Sequence, residues 1–443
     1  MSRAIRSVFF LLLAATAPVA AQGVPIRNAA QAGPPETEGR SRLAEAVRRA
    51  VAQNPRVQEA EARAEAARHR IQQTLSLPDP EVELGLKDVP FLHPSLSRSD
   101  FTMEMVTGRQ RLPARGKRSA EHAAALADVD GAAAVQAREA VAVAADTAEA
   151  FFLLAAIDGE VAILEDTRRR LEDAAAAATS LYQVGKAGQS DVLHANLERT
   201  SLDERLSTLK AERRAQAARF NSLQGLPVAA PVAPIGPVDP GSDVPAAGEL
   251  ARQAEARSPS VAMAVAEVRR TEQELELARL EGRPDWTLMA YYGHRQRVED
   301  LAGVSAAINL PWAHGRRLAE RRAEKEAELA AARARVEAAK NQIRDEVEAA
   351  YAELDKNREQ VRLYRDSILP QAEVNYRSAR EAYVVGKIDF LTLVRAAIDL
   401  DSYRREAVRR GSGIGRALAA LQKASGLPLI AGTPDAGDSH GEK

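Results

Sequence analysis

Histidine and carboxylate side chains are the residues of this sequence best suited to metal or acid–base chemistry, but their spacing organises neither. The seven histidines are His69, His93, His122, His194, His294, His314 and His440. None of them forms the His-x-x-x-His or His-Glu-x-x-His spacing that places two ligands on one helix face. The carboxylates alternate with Arg and Lys, as they do on solvated helix faces. We therefore expect no metal site and no cofactor.

The sequence also lacks the motifs of nucleophilic catalysis and of phosphate binding. The sequence contains no P-loop and no dinucleotide fingerprint, and cysteine is absent from all 443 residues. The lack of cysteine excludes disulfides, thiolate metal sites and a lipid-modified N-terminal Cys. The sequence thus predicts a protein that is not an enzyme and has no lipid anchor.

The residues that stand out by their spacing belong to a duplication. Tyr182-Gln-Val-Gly-Lys186 returns as Tyr383-Val-Val-Gly-Lys387, and Gly225-Leu-Pro227 returns as Gly426-Leu-Pro428. Both pairs lie 201 residues apart, whereas solenoid units repeat every roughly 20–50 residues. We therefore predict two similar halves, residues 42–226 and 249–428, joined by a Pro-rich linker over 227–248.

Composition and the chain ends indicate an exported, helix-rich protein. The net charge is −1 and aromatics make up only 4%, so nothing marks a nucleic-acid-binding surface, and abundant Ala, Glu, Arg and Leu favour long helices. Residues 1–21 have the charged, apolar and small-residue regions of a signal peptide, with a membrane anchor as the alternative. A flexible arm is expected over 22–41 and a disordered tail over 429–443.

Each half begins with a helix and continues with two alternating segments. The helices are expected near 43–75 and 250–280, interrupted at Asn54-Pro55 and Ser258-Pro259. Beyond them apolar and polar residues alternate, which predicts half-buried strands. These strands are expected over 81–90 and 99–110 in the first half, and over 285–295 and 303–311 in the second.

A very long helical run follows the strands in each half. The runs extend from Gly116 to Gly185 and from Gly315 to Gly386, and each would reach about 100 Å. Their apolar residues form a narrow, coiled-coil-like seam, and Pro370 is expected to bend the second run. Hairpin tips are predicted near 182–191 and 383–392, where the chain turns back as a helix of about 35 residues.

Four strands cannot close a barrel by themselves. Beyond the signal we find no run of 18 apolar residues, so a chain that crosses a membrane must do so with its strands. Two arrangements remain open: a surface sheet, or one barrel to which several chains contribute strands.

The order of these elements resembles the outer membrane factor, or TolC-like, family of channels. Residues that carry the resemblance are Leu369-Pro-Gln-Ala-Glu373, Tyr383-x-x-Gly386 with Phe390 and Leu393, and Tyr182-x-x-Gly185 with Asp191-Val-Leu193. The match covers about residues 42–428. A finer similarity, over Phe101–Met105 and Gln110–Arg118, points to the subgroup that works with heavy-metal cation pumps.

The resemblance implies a mainly α fold with a small β part and a homotrimer. In that trimer, four strands from each chain close a twelve-stranded barrel in the outer membrane lipid, and long helical hairpins extend into the periplasm. It also implies that the tips contact a periplasmic adaptor protein. The residues concerned are Val184, Gly185, Lys186, Val385, Gly386 and Lys387. Each glycine can also be understood as an ordinary helix C-cap.

The resemblance further implies a constriction just beyond the tips. Asp191 and Tyr383 match an acid and a tyrosine of the family, whereas Thr392 and Arg395 occupy positions where well-known members carry acids. An Arg395–Asp191 pair is one way to close such a pore. The alternative is that these residues lie on solvated helix faces.

These features together predict the outer membrane channel of a tripartite efflux system. The channel would be passive and coupled through the adaptor to an inner-membrane pump of the resistance-nodulation-division type, with heavy-metal cations as the cargo suggested by the finer similarity. Two other classes compete with this hypothesis: a periplasmic adaptor, and an exported coiled-coil scaffold without a pore.

Overall fold

The fold repeats one order of elements in its two halves. The computed structural model describes residues 35–92, 94–96, 99–183, 188–239, 241, 244–296, 298–310 and 315–430. Its helices are, in chain order, α1 (Pro35–Gln53), α2 (Pro55–Leu75), α3 (Lys117–Gln183), α4 (Gln189–Leu223), α5 (Ala247–Arg257), α6 (Pro259–Leu280), α7 (Gly315–Leu363), α8 (Leu369–Val384) and α9 (Phe390–Ser425). Its strands are β1 (Glu81–Lys87), β2 (Met103–Leu112), β3 (Trp286–His294) and β4 (Leu301–Ile308). The four predicted strands are present, with ends shifted by up to four residues.

The first helix of each half is broken where a capping residue precedes proline. Asn54 accepts a hydrogen bond from the Arg56 N–H at 2.9 Å, and Ser258 accepts one from the Ser260 N–H at 3.3 Å. The proline that follows has no N–H and suits the first turn of a helix. The recurring Gly225 and Gly426 lie beside these breaks with φ values of +69° and +72°. A Cβ on Gly426 would come within 2.8 Å of the Pro259 ring, which explains why this Gly recurs.

The second long helix is interrupted as its proline predicts. A π-helical turn, Tyr364–Ile368, separates α7 from α8, and Pro370 follows it directly. Because Pro lacks an N–H and its ring collides with the preceding turn, the helix widens locally instead of stopping. α3 has no such proline and runs unbroken for 67 residues.

The four strands form one antiparallel sheet in the order β1-β2-β3-β4. The central pair joins the halves, with Leu112 opposite Trp286 and Val106 opposite Tyr292. β1 and β4 lie at the two edges, and no strand of the described chain pairs with their outer sides.

The main core lies where the long helices cross. Phe151, Phe152 and Leu154 of α3 are buried against Leu418 and Leu421 of α9. α3 contains an apolar window long enough to span a membrane by length and composition, with a mean hydropathy of 1.8. Asp146 and Glu149 interrupt this window, so it is not an unbroken run of 18 apolar residues and the sequence expectation stands. The window is 72% buried inside the protein, as expected for the core helix of a folded unit.

Ionic contacts also tie the halves together along α3 and α9. Arg409 makes two 2.7 Å hydrogen bonds to the buried Glu160 carboxylate, and Thr167 donates to the buried Asp401 at 2.8 Å. A bidentate Arg–carboxylate contact fixes both distance and orientation. These contacts therefore set how the second half sits on the first.

A second ionic cluster joins the halves where the helices meet the sheet. Asp285, which precedes β3, accepts hydrogen bonds at 2.8 Å from Lys117, from Arg111 and from the Ala114 N–H. Burial alone would raise the pKa of Asp285, but these three donors outweigh it and lower the pKa to about 2. Asp285 is therefore an ionised anchor between the halves.

Two of the boundaries predicted from sequence need correction. α1 begins at Pro35, so residues 35–41 of the predicted flexible arm are helical. At the other end Ile430 is only 5% exposed and its N–H donates to Gln422, so residues 429 and 430 of the predicted disordered tail are ordered. The predicted signal peptide, residues 1–21, and residues 431–443 lie outside the described residues.

We expect Asp285→Asn to lower the free energy of unfolding by about 2 kcal/mol at pH 7, because Lys117 then faces no carboxylate in a site largely shielded from water. The pKa of Asp285 is lower in the folded chain than its usual value of about 3.9. Its stabilising contribution is therefore complete above that value and is lost as the pH falls toward 2.

Urea unfolding of the detergent-solubilised protein, followed by circular dichroism, measures this effect at pH 7 and at pH 2. The difference between the variant and the native chain should shrink at the lower pH. Asp345→Asn is the matched control, since Asp345 is exposed on α7 and the described chain gives it no ion pair. Equal unfolding midpoints for the two variants at pH 7 would contradict the anchor.

Candidate functional site at the hairpin ends

The second hairpin tip is a rigid turn with an apolar outer surface. The Lys387 N–H donates to the Ala382 carbonyl, and the Gly386 N–H donates to the Tyr383 carbonyl, both at 2.9 Å. This pair of bonds is a Schellman motif, and Gly386 takes the left-handed φ of +72° that the motif requires. The C-cap interpretation is thus confirmed for Gly386. Val384 and Val385 nevertheless remain exposed beside it.

The first tip cannot be compared with it directly. Val184, Gly185 and Lys186 lie outside the described residues, so their predicted adaptor contact stays a prediction. On the second tip Val385, Gly386 and Lys387 are all exposed. Among the described residues, no side chain comes within 4 Å of the place where a Cβ on Gly386 would lie. The outer surface of this turn is therefore free for a partner.

A cap that sequence reasoning missed fixes the start of the returning helix. Asp389 accepts a hydrogen bond from the Thr392 N–H at 3.1 Å and another from the Thr392 hydroxyl. Hydrogen bonds from the Thr392 side chain and backbone lower the pKa of Asp389, and the charge of Arg395 acts in the same direction. The spacing Asp-x-x-Thr ahead of an apolar run was the signal available.

Tyr383 is buried beneath the tip. Its ring packs edge-on against Phe390 with 5.6 Å between centroids, inside a cluster that includes Leu171, Ala195 and Leu393. The Tyr383 hydroxyl is buried and has no hydrogen-bond partner within the described part of the chain. Burial, and after it the charge of Asp191, raise the pKa of Tyr383. Tyr383 is thus a packing residue with one polar atom left unsatisfied.

The structure brings only two of the three predicted gate residues together. Asp191 lies in the first turn of α4, half-buried and close enough to Tyr383 to influence its ionisation. Arg395 is exposed on α9 and faces Asp389 instead. Across the described residues of one chain, Arg395 and Asp191 form no ion pair. A contact between them would have to join two protomers.

A cavity of about 480 Å³ lies between α3, α8 and α9 just above Tyr383. Three of its lining residues are the arginines Arg170, Arg377 and Arg380, and the Arg170 guanidinium lies 5.4 Å from the Tyr376 ring centroid. Arg170 also pairs with Asp166 at 2.8 Å, so a carboxylate and an aromatic ring together hold its guanidinium. Asp173 and Glu373 line the same cavity, so the hairpin end carries charges of both signs inside.

Metal ligation is not organised here or elsewhere in the described ranges. In them, no group of three or more His, Asp or Glu side chains lies close enough together to hold a metal ion. The site therefore consists of an apolar outer turn, a buried tyrosine and charged helix faces, a composition that suits contact between proteins.

Comparison with known proteins was made at the level of sequence and of fold. A family model described as "Outer membrane efflux protein" matches residues 46–226 and 250–427, the two halves of the duplication. Comparison with curated protein sequences gives no significant match.

Several solved structures share the fold at low sequence identity. The outer membrane protein VceC from Vibrio cholerae is 19% identical, with a TM-score of 0.74 over 87% of this chain and 96% of that chain. The Campylobacter jejuni CmeC outer membrane channel is 13% identical, with a TM-score of 0.68 over 89% and 87%. The Neisseria gonorrhoeae MtrE outer membrane channel is 16% identical, with a TM-score of 0.67 over 89% and 91%. With both halves matched by the family model, this chain belongs to the outer membrane efflux protein family and has the TolC-like fold of a non-enzymatic channel.

Proposed function

We propose that this protein is the exit duct of a tripartite efflux system, assembled as a homotrimer. In this assembly twelve strands from three chains form a barrel in the outer membrane, and the helices continue into the periplasm. The channel is passive, and an inner-membrane pump of the resistance-nodulation-division type supplies the energy through an adaptor. Because the chain belongs to the outer membrane efflux protein family, the two competing classes, a periplasmic adaptor and a scaffold without a pore, are set aside.

The carrying observation is that one face of the sheet is exposed and largely apolar, with Glu104, Gln110 and His294 as its polar members. Residues that share this face by register include Val82, Leu84, Leu86, Val106, Leu288, Val304 and Ile308, and all of them are exposed. The opposite face carries Glu83, Arg109 and Ser305. Alternation of this kind is what a membrane barrel needs, with lipid outside and water inside.

Aromatic residues mark the two ends of this apolar face. Trp286 begins β3 at the helix-proximal end, and Tyr292 lies near its other end. Both are about half exposed. Trp and Tyr are enriched at membrane interfaces because one part of the ring system is apolar and another is polar. Their placement supports a membrane-embedded band between them.

The hairpin ends are the proposed adaptor contact. Val384 and Val385 expose apolar surface around Gly386, and the Schellman turn holds that surface in one conformation. A surface ordered in advance loses little conformational entropy on binding. The first tip is included because Tyr182–Lys186 repeats four of these five residues, with Gln183 in the place of Val384.

The cargo is the least constrained part of the proposal. Similarity of Phe101–Arg118 to the heavy-metal subgroup favours metal cations. They would cross a water-filled duct without binding, since the described chain offers no ligand cluster. Growth of a deletion strain on copper, silver, zinc and an organic drug, with and without this gene, tests the assignment. Restored tolerance to the drug alone would contradict it.

Detergent extraction tests the duct itself. We expect outer membrane fractions to yield a particle with the mass of three chains, which forms conducting pores in planar bilayers. A native particle of one chain that is soluble without detergent would overturn the proposal.

At the tip, we expect Gly386→Glu to abolish efflux, while Gly386→Gln retains a measurable part of it. Both side chains cost about 1–2 kcal/mol in a left-handed conformation, so they strain the turn equally. They differ only in the charge placed among the exposed valines. Resistance assays report efflux, and native mass confirms that both variants still form trimers. Equal resistance of the two variants would exclude an uncharged docking surface at this tip.

At the constriction, we expect Arg395→Ala and Asp191→Ala each to raise the open population of the pore. Loss of one partner of a partly exposed pair costs on the order of 1 kcal/mol, about fivefold in population. Single-channel recording measures that change. If the two side chains pair across protomers, the double variant should show less than the summed effect. Unchanged conductance in both single variants would place these residues outside the gate.

A further inference from the structure

We propose that β4 of one protomer pairs with β1 of a second copy of this chain in one defined register, which Asp79 fixes by binding Arg316 of the partner subunit. This inference rests on the proposed trimer and adds the contacts that close it. It is argued from the junction that the structure shows between the two halves of one chain.

The observed junction has two parts. In the sheet, Leu112 of β2 lies opposite Trp286 of β3. At the end of these strands Asp285 binds Lys117 at 2.8 Å, and the lysine follows Gly116. The strand register and the ion pair therefore set the same alignment of the halves.

The residues of this junction recur at the free edges of the sheet. Asp79 follows Pro78 ahead of β1, as Asp285 follows Pro284 ahead of β3. Arg316 follows Gly315 after β4, as Lys117 follows Gly116 after β2. The second turn has one residue more between its Leu and its Gly.

Asp79 and Arg316 lie beside the free edges of the sheet and make no polar contact within the described part of their own chain. Both are exposed, and in the described part of the chain neither forms an ion pair or a hydrogen bond. The outer sides of β1 and β4 are likewise unpaired within the described chain, and their apolar side chains Leu84 and Val304 are 76% and 86% exposed. An exposed apolar strand edge invites pairing with another strand.

The alignment of the two halves can be checked against a pairing that the structure shows. Pro78-Asp79 aligns with Pro284-Asp285, and Leu112-Pro113 aligns with Leu310-Pro311. This alignment maps Glu81 onto Thr287 and Arg109 onto Ala307. Thr287 and Ala307 are indeed opposite each other in the second half. The same mapping can therefore be applied to the central β2–β3 pairing.

In the β2–β3 pairing, β4 takes the place of β2 and β1 of the partner subunit takes the place of β3. The alignment then predicts which residues of the two chains lie opposite each other. It places Ile308 opposite Val82, Ala306 opposite Leu84, and Val304 opposite Leu86 of the partner subunit. Every one of these pairs joins two apolar residues on the exposed face. A slip of one residue would bring this face against Glu83 and Lys87, because side chains alternate between faces.

Only the ion pair distinguishes this register from a slip of two residues. A two-residue slip keeps the apolar face intact but moves Asp79 about 6–7 Å along the strand, away from Arg316 of the partner subunit. Asn309 occupies the place of Arg111 and can donate a second hydrogen bond to the same carboxylate. The predicted junction thus has the same design as the observed one.

Cysteine cross-linking tests the register directly, because the chain has no cysteine of its own. Leu84→Cys with Ala306→Cys, and Gly85→Cys with Ser305→Cys, are in register, and together they cover both kinds of antiparallel site. Leu84→Cys with Val304→Cys is the control shifted by two residues. Opposed residues reach disulfide distance, whereas diagonal ones are about 7–8 Å apart. β1 and β4 of one chain lie about 14 Å apart, so any bond joins two chains.

After mild oxidation we expect covalent trimers on non-reducing gels from both in-register pairs and chiefly single chains from the shifted pair. Predominant cross-linking of the shifted pair would overturn the register. A native trimer with no cross-link from either in-register pair would overturn the predicted register, while the trimeric duct of the proposed function would stand. A native monomer would overturn both.

Charge reversal tests the anchor independently of the disulfides. We expect Asp79→Arg and Arg316→Asp each to reduce the yield of SDS-resistant trimer, and the double variant to restore it. Circular dichroism should show unchanged helix content in all three, since neither residue has a partner in its own chain. A double variant no better than the singles would remove Asp79 from the junction.

Discussion

The contact between the two halves of one chain is the interaction on which the rest of this structure depends. It buries the apolar window of α3 against α9, and it fixes their relative position through Arg409–Glu160 and Thr167–Asp401. Through Asp285 and the β2–β3 pairing it also joins the sheet to the helices. Without this contact, each half would expose the apolar face of its long helix along much of its length.

The same contact explains why a single chain is incomplete. Because the chain is duplicated, each half carries both of the surfaces that form the junction between halves. The junction within one chain uses one surface from each half, so the other surface of each half stays unpaired. α3 of the first half packs on α6 and α9, whereas α7 makes no comparable contact with α2 or α4 within the described chain. Closed rotational assembly resolves such a mismatch, because each unused surface meets its complement on the next copy. In the proposed assembly the sheet end faces membrane lipid and the hairpin end faces the adaptor, so the two ends need different surfaces.

Much of this architecture could be predicted from sequence because its signals are local. Period-2 alternation gave the strands, and Asn54-Pro55, Ser258-Pro259 and Pro370 gave the helix interruptions. Local signals do not report which distant groups meet, so the ion pairs of Asp285 and Glu160 were not foreseen. The Asp389 cap is a local signal as well, because Asp-x-x-Thr precedes an apolar run. The start of α1 at Pro35 was missed because the preceding Pro and Gly residues suggested a loose arm.

The unsatisfied groups at the hairpin end have the same origin as the free strand edges. A buried hydroxyl without a hydrogen bond costs about 1–3 kcal/mol, and Tyr383 carries one while Asp191 lies nearby. Arg395 is exposed on the adjoining helix, where its charge acts on the capping Asp389. A closed trimer can place a donor or acceptor of the next chain against Tyr383 and a carboxylate against Arg395. In the proposed trimer, opening the tip would separate those chains, so the energy of such contacts would set how strongly the closed state is favoured.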